Sequence, residues 1–142
     1  LWEQWDGEAS RNHIMFGHIS AWFYQVLGGI RLDPDAVGFK RFVIKPQLLG
    51  DVRWAKAEYE SMYGTIRSNW EIRGGRFILK IAVPVNTTAT VYVPCDPQKA
   101  IAEGPDVIHV GEHARFLRFE KGCVVFEVES GTYEFISQLP VR

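Results

Sequence analysis

The sequence has little cysteine, almost no net charge and no long uninterrupted apolar run. Its 142 residues include two cysteines, and 16 basic residues against 17 acidic ones give a net charge of −1. A nearly neutral chain offers no electrostatic case for a nucleic-acid partner or an anionic membrane. The apolar stretch Ile14–Ile30 is interrupted by small and polar residues, so it is too short and too polar to span a bilayer.

The motifs of cofactor and nucleophile chemistry are also missing. The chain has no P-loop, dinucleotide fingerprint, Gly-x-Ser-x-Gly elbow or zinc pattern of Cys and His. His109 and His113 have i, i+4 spacing, but this spacing brings two metal ligands together only on a helix, and the surrounding pattern is typical of strands. We therefore predict no cofactor and no metal. Cys95 and Cys123 are predicted to be two buried free thiols, with a single disulfide as the alternative.

Hydrophobic residues make up 46% of the sequence, which is enough to form a core. They follow one period before Phe39 and another after it. From Phe39 onward, apolar and polar residues alternate, which is the period of a strand. Turn residues separate these segments at about ten-residue spacing, and Gly74-Gly75 predicts a type I′ hairpin turn. This pattern predicts an antiparallel, jelly-roll-like β-sandwich with Trp54 and Trp70 in its core. The predicted strands are Phe39–Lys45, Val52–Ser61, Thr65–Arg73, Phe77–Val83, Thr88–Val93, Ala100–Ile101, Val107–Val110, Arg115–Glu120, Cys123–Glu129 and Thr132–Ser137.

The stretch Leu1–Ile30 has a different character and predicts one helix. Ser10 is a candidate N-cap, with Asn12 as the alternative, and Gly28-Gly29 is a typical helix end. The apolar face of this helix is too wide for a helix that lies on a wet surface. It must therefore pack against a missing part of the protein, against the β region or against another chain. The face consists of Met15, Phe16, Ile19, Trp22, Phe23, Val26 and Leu27.

The candidate chemistry lies just before this helix. Glu3 stands beside Trp2 and Trp5, and a carboxylate partly withdrawn from water suits acid–base work, while indole rings suit the CH faces of sugars. Asn12-His13 offers hydrogen bonds at the start of the helix. Each feature alone also has an ordinary structural interpretation: a loop glutamate beside core tryptophans, a capping asparagine and a histidine satisfied by the fold.

In combination these features are more specific. The ordered motifs of the first hundred residues or so resemble those of the bacterial α-L-rhamnosidases built on an (α/α)6 barrel. The matching patterns are W-E-x-W-D-G at Trp2–Gly7, S-x-N-H-x-x-F-G at Ser10–Gly17, L-D-P-x-x-x-G-F-x-x-F-x-I-x-P at Leu32–Pro46 and Y-x-S-x-Y-G-x-I-x-S-x-W at Tyr59–Trp70.

The resemblance implies a C-terminal fragment of an inverting glycoside hydrolase that removes terminal α-L-rhamnose. Residues 1–31 would be the tail of the catalytic barrel, residues 32–38 a linker and residues 39–142 a C-terminal β-sandwich. Glu3 matches the general base, His13 matches a residue that hydrogen-bonds rhamnose, and Trp2 and Trp5 would shape the pocket.

The rest of such an active site would have to come from elsewhere. The general acid and the remaining barrel would lie upstream, so the fragment alone is expected to be inactive, and its partners would be that barrel and a rhamnose-containing glycoside. The alternatives are a non-catalytic carbohydrate-binding sandwich, which would show exposed aromatics on a sheet face, and a purely structural module. The compartment stays open among cytoplasmic, periplasmic and secreted.

Overall fold

Two five-stranded sheets form the body of the protein. The computed structural model describes residues 2–98, 107–110 and 113–140. The strands are β1 (Ile30–Leu32), β2 (Arg41–Ile44), β3 (Trp54–Ser61), β4 (Gly64–Arg73), β5 (Arg76–Val83), β6 (Thr88–Pro94), β7 (Val107–Val110), β8 (Ala114–Glu120), β9 (Cys123–Val128) and β10 (Gly131–Gln138). The first sheet has the order β1-β2-β6-β9-β8 and the second has the order β3-β4-β5-β10-β7. All strand pairs are antiparallel except β2–β6.

The mainly antiparallel sandwich predicted from the sequence is confirmed. Alternation along a strand buries every second side chain, as in β5, where the odd-numbered residues are buried and the even-numbered ones are not. Inward-facing residues of both sheets meet in one core. The predicted strand Ala100–Ile101 lies outside the described residues. The largest fully buried side chains of this core are Phe42, Phe77, Phe135, Ile44, Ile66, Leu79, Val91 and Val93.

Two tight hairpins fix the register of the second sheet. Gly74 and Gly75 have φ of 58° and 77°, which confirms the predicted type I′ turn between β4 and β5. The β3–β4 hairpin closes with Ser61 opposite Gly64, and this register pairs Trp54 with Glu71.

The β3–β4 register separates the two tryptophans that the sequence pattern placed together in the core. Trp70 pairs with Ala55, next to the Trp54–Glu71 pair, so the two indoles point to opposite faces of the sheet. Trp70 is 2% exposed, as predicted, whereas Trp54 is 64% exposed. The prediction that Trp54 lies in the core is therefore wrong.

The two cysteines are free, as predicted, but they differ in burial. Cys95 is buried, whereas Cys123 is only partly buried, so the prediction of two buried thiols holds for one of them. Burial raises the pKa of the Cys95 thiol and raises that of Cys123 to about 11. His109 lies in the strand β7, as the alternating pattern predicted, and not on a helix.

The segment before the sandwich is helical but irregular. It runs as a 3₁₀ turn (Ile14–His18), an α-helical turn (Ile19–Trp22) and a π turn (Phe23–Leu27). The predicted N-caps are wrong, because His13 occupies the cap position and makes no side-chain capping hydrogen bond. In the described part of the chain, no helix is long and apolar enough to cross a membrane.

The end of the helical segment is built into the sandwich. Gly29 has φ of 74°, which confirms the predicted glycine end. The indole N–H of Trp70 donates to the carbonyl of Leu27 at 2.7 Å. A Cβ on Gly28 would lie 2.6 Å from the Cβ of Ala57, so only glycine permits this close approach.

The next residues form a strand that the sequence did not reveal. Residues 30–32, assigned to the helix end and the linker, pair as β1 with β2 through the register Ile30↔Ile44. Short strands of this kind leave little periodic signal in a sequence. The division of the chain at residues 31 and 38 stays a prediction.

Candidate functional site

A closed loop precedes the helical segment. The backbone N–H of Glu3 donates to the carbonyl of Ser10 at 2.8 Å, and the backbone N–H of Ser10 donates back to Oε2 of Glu3 at 3.3 Å. Gly7 lies at the turn of this loop with φ of 74°, a conformation that favours glycine. The two hydrogen bonds anchor the Glu3 carboxylate to the far side of its own loop.

The loop brings Glu3 and His13 together. Nδ1 of His13 lies 3.5 Å from Oε2 of Glu3, and the side chains are 25% and 41% exposed, respectively. Within the described part of the chain, Oε1 of Glu3 accepts no hydrogen bond. A carboxylate held by one oxygen and open at the other can accept a proton from a water molecule, and the neighbouring imidazole can hydrogen-bond a hydroxyl group.

The two tryptophans of the motif have different surroundings. Trp2 is 53% exposed, and the guanidinium carbon of Arg11 lies 5.5 Å from its ring centroid, within the range of a cation–π contact. Nε of Arg11 also donates to the carbonyl of Gly7 at 3.3 Å. Trp5 is 98% exposed and projects into solvent. Trp2 is thus held against the loop by Arg11, whereas the ring of Trp5 is accessible to a ligand or partner.

Sequence reasoning missed the residues that shape this loop. Ser10 was predicted as a helix cap, but its backbone holds Glu3, and its Oγ accepts from the N–H of Asn12 at 3.4 Å. Arg11 carried no functional prediction. The available sequence signal was Gly7, the glycine that ends the first motif, because glycine permits a tight return of the chain.

An apolar surface continues from this loop along the helical segment. Its residues are strongly exposed, although soluble proteins seldom leave a contiguous apolar patch uncovered. Of the three packing partners that the sequence left open, the described part of the β region covers only the end of the segment. The exposed residues are Ile14 (80%), Met15 (65%), Ile19 (55%), Trp22 (41%), Phe23 (49%) and Tyr24 (41%).

The sequence of this chain matches known proteins. The sequence model of the bacterial alpha-L-rhamnosidase C-terminal domain matches residues 29–107. An alpha-L-rhamnosidase of Streptomyces avermitilis is 36% identical over 95% of this chain, and one of Formosa agariphila is 29% identical over 95% of it. The chain spans only 13% and 16% of the lengths of these two relatives.

Solved structures show the same fold. The crystal structure of Streptomyces avermitilis alpha-L-rhamnosidase complexed with L-rhamnose matches 94% of this chain with a TM-score of 0.75 and 36% identity, over 13% of its own length. The structure of an alpha-L-rhamnosidase from Dictyoglumus thermophilum matches 96% of this chain with a TM-score of 0.70 and 29% identity, over 16% of its own length. The resemblance inferred from the motifs is confirmed, and the chain belongs to the bacterial α-L-rhamnosidase C-terminal domain family.

Proposed function

We propose that this chain is the C-terminal part of an inverting α-L-rhamnosidase that hydrolyses terminal α-L-rhamnose from glycosides, with Glu3 as the general base. The observation that supports this role is the anchored Glu3 carboxylate, 3.5 Å from His13 and open at its second oxygen. The chain's similarity to rhamnosidases, including one complexed with L-rhamnose, supports the substrate class.

An inverting glycosidase needs two carboxyl groups roughly 6.5–9.5 Å apart, so that a water molecule fits between one of them and the sugar. Oε1 of Glu3 takes a proton from this water as its oxygen attacks the anomeric carbon. A general acid from the upstream barrel gives a proton to the leaving oxygen. His13 hydrogen-bonds a rhamnose hydroxyl, and Trp2 and Trp5 border the pocket. This reaction uses no cofactor.

The upstream barrel is the proposed partner of the exposed helical face. The apolar side chains of Ile14, Met15 and Ile19 are 80%, 65% and 55% exposed. Burying them against the barrel would stabilise the contact by about 25 cal/mol for each Å² of apolar surface removed from water. In this arrangement residues 1–31 complete the barrel, residues 32–38 connect, and residues 39–142 form the sandwich, to whose edge Ile30–Leu32 add the strand β1. The sandwich stabilises the C-terminal end of the helical segment through the hydrogen bond from the Trp70 indole to the Leu27 carbonyl.

The first test concerns the chain alone. With one carboxyl group of the pair and no enclosing barrel, the 142-residue chain is expected to show no turnover of an aryl α-L-rhamnoside above the uncatalysed rate. The longer protein that carries the barrel is expected to hydrolyse the same substrate. Turnover by the 142-residue chain would contradict the proposal.

The second test concerns Glu3 in that longer protein. Glu3→Gln keeps the size of the side chain but removes its basicity, and we expect kcat to fall by about 10²–10⁴. Glu8→Gln is the matched control, because Glu8 lies in the same loop but its carboxylate is not the one that faces His13. A near-normal kcat for Glu3→Gln, with an unchanged melting temperature, would remove Glu3 from the role of base.

A further inference from the structure

A shallow groove crosses the outer face of the second sheet. Its volume is about 500 Å³, and strands β3, β4 and β5 form its floor. Cross-strand pairing puts Trp54 opposite Glu71, and Lys56 opposite Asn69, so these four side chains share the outer face. Ile78 and Lys80 continue the groove on β5, opposite Glu71 and Asn69.

The indole of Trp54 is the unusual feature of this face. A tryptophan that is 64% exposed leaves a large flat apolar ring in water, and the indole N–H makes no hydrogen bond within the described part of the chain. Large aromatic rings with one polar atom are typical of surfaces that bind partly apolar ligands. The ring lies on the face of the sheet away from the sandwich core, where it also borders Phe23, Tyr24 and Leu27 of the helical segment.

Polar atoms without partners surround the ring. Within the described residues, Oδ1 of Asn69 is shielded from water and accepts no hydrogen bond, and the ammonium of Lys56 forms no ion pair. An unsatisfied amide oxygen beside a groove is costly, and rotation about the soft χ2 torsion of asparagine would present it to a ligand hydroxyl.

Two of the three charged side chains of the groove, those of Lys80 and Glu71, are already paired. Lys80 lies 3.1 Å from Glu134, and Glu71 lies 3.2 Å from Arg73. Lys56 is the one charged side chain of the groove without an ion pair among the described residues, and a single exposed ammonium gives no strong field, which favours a neutral ligand over an ionic one. Neighbouring strands are about 4.8 Å apart, so a pyranose ring stacked on Trp54 would have hydroxyls within reach of the β4 side chains.

We propose that this groove is a carbohydrate-binding site for neutral pyranose residues of a polysaccharide or glycan chain. Trp54 stacks on the CH face of one sugar ring, and Asn69 and Lys56 hydrogen-bond its hydroxyls. The site lies on strands β3–β5 and not in the loop of Glu3, and it does not depend on the proposed hydrolysis. It would hold the glycan on the sandwich, whichever reaction the longer protein catalyses.

The test is affinity electrophoresis of the 142-residue chain in native gels that contain xylan, dextran, galactomannan or arabinogalactan. We expect slower migration in at least one of these gels than in a gel without polysaccharide. Trp54→Ala should weaken this retention by about tenfold, a loss of about 1.4 kcal/mol. Trp54→Tyr keeps an aromatic ring and should retain most of the binding. Circular dichroism will check that each variant keeps its fold.

Phe119→Ala is the matched control, because Phe119 is an exposed aromatic residue (44%) on β8 of the other sheet. This variant should migrate like the parent chain. Three outcomes would overturn the proposal: no retention in any neutral gel, retention that Trp54→Ala leaves unchanged, or equal losses for Trp54→Ala and Phe119→Ala. A further gel that contains polygalacturonate serves as the anionic comparison, and retention in that gel alone would also overturn the proposal, since that result would indicate charge binding.

Discussion

Replacing Trp70 by phenylalanine is expected to loosen the attachment of the helical segment to the sandwich. Trp70 is 2% exposed, packs against Phe77 with ring centroids 5.8 Å apart and donates its indole N–H to the carbonyl of Leu27 at 2.7 Å. The smaller benzene ring keeps the stacking partner but loses the donor. The Leu27 carbonyl then loses this partner beside the core.

The expected magnitude has two parts. Losing the hydrogen bond and leaving the carbonyl without this donor costs about 1–3 kcal/mol. The small cavity left by the missing part of the indole adds about 1–2 kcal/mol. Together they lower the free energy of unfolding by about 2–5 kcal/mol, which corresponds to a fall in Tm of about 5–20 °C for a chain of this length.

Thermal and urea unfolding, followed by circular dichroism, measure this loss. Trp54→Phe is the matched control, because Trp54 is 64% exposed on the same hairpin, and we expect it to change stability by no more than about 0.5 kcal/mol. Amide hydrogen exchange should also quicken in residues 23–29 of Trp70→Phe alone. Equal stabilities for the two variants would refute the assigned role of Trp70.

Two further predictions follow from backbone geometry and burial. Gly29→Ala should destabilise the protein by more than about 3 kcal/mol in urea unfolding, because its Cβ would lie 2.2 Å from the nitrogen of Pro46 at a φ of 74°. Gly17→Ala is the control, since its Cβ would meet nothing within 4 Å, and it should be neutral or stabilising. An unchanged stability of Gly29→Ala would contradict this account. Burial raises the pKa of Cys123 to about 11, so at any pH below that value the folded protein carries less Cys123 thiolate than the unfolded chain does. Its alkylation by iodoacetamide at pH 8.5 should be roughly 100-fold slower than in urea and should accelerate as pH rises, and equal rates would contradict its burial.

The strands were predictable because one face of each sheet is buried. On β4, buried residues such as Ile66 and Trp70 alternate with polar neighbours, and this period is visible without any structure. The orientation of Trp54 was not predictable from alternation within β3, because it depends on the register with β4, which the two-residue hairpin at 62–63 sets. The edge strand β1 is too short to show a period.

The candidate site was predictable in its residues but not in its geometry. Glu3 and His13 were selected because their motifs resemble a family, and the structure adds that Ser10 holds the carboxylate from across the loop. A hydrogen bond between a backbone N–H and a side chain seven residues away leaves no periodic trace in a sequence. The exposed helical face, in contrast, was evident from its width alone.

The most direct test of the central claim, that Glu3 serves the attacking water, is the product formed by Glu3→Ala in the longer protein when azide is added. A small anion can replace the base-activated water, since it attacks the anomeric carbon without losing a proton. We predict that azide accelerates cleavage of an activated aryl α-L-rhamnoside by this variant and that the product is the inverted β-L-rhamnosyl azide. An α-configured azide would place Glu3 on the side of the leaving group. Near-normal hydrolysis without azide would show that Glu3 is not the base.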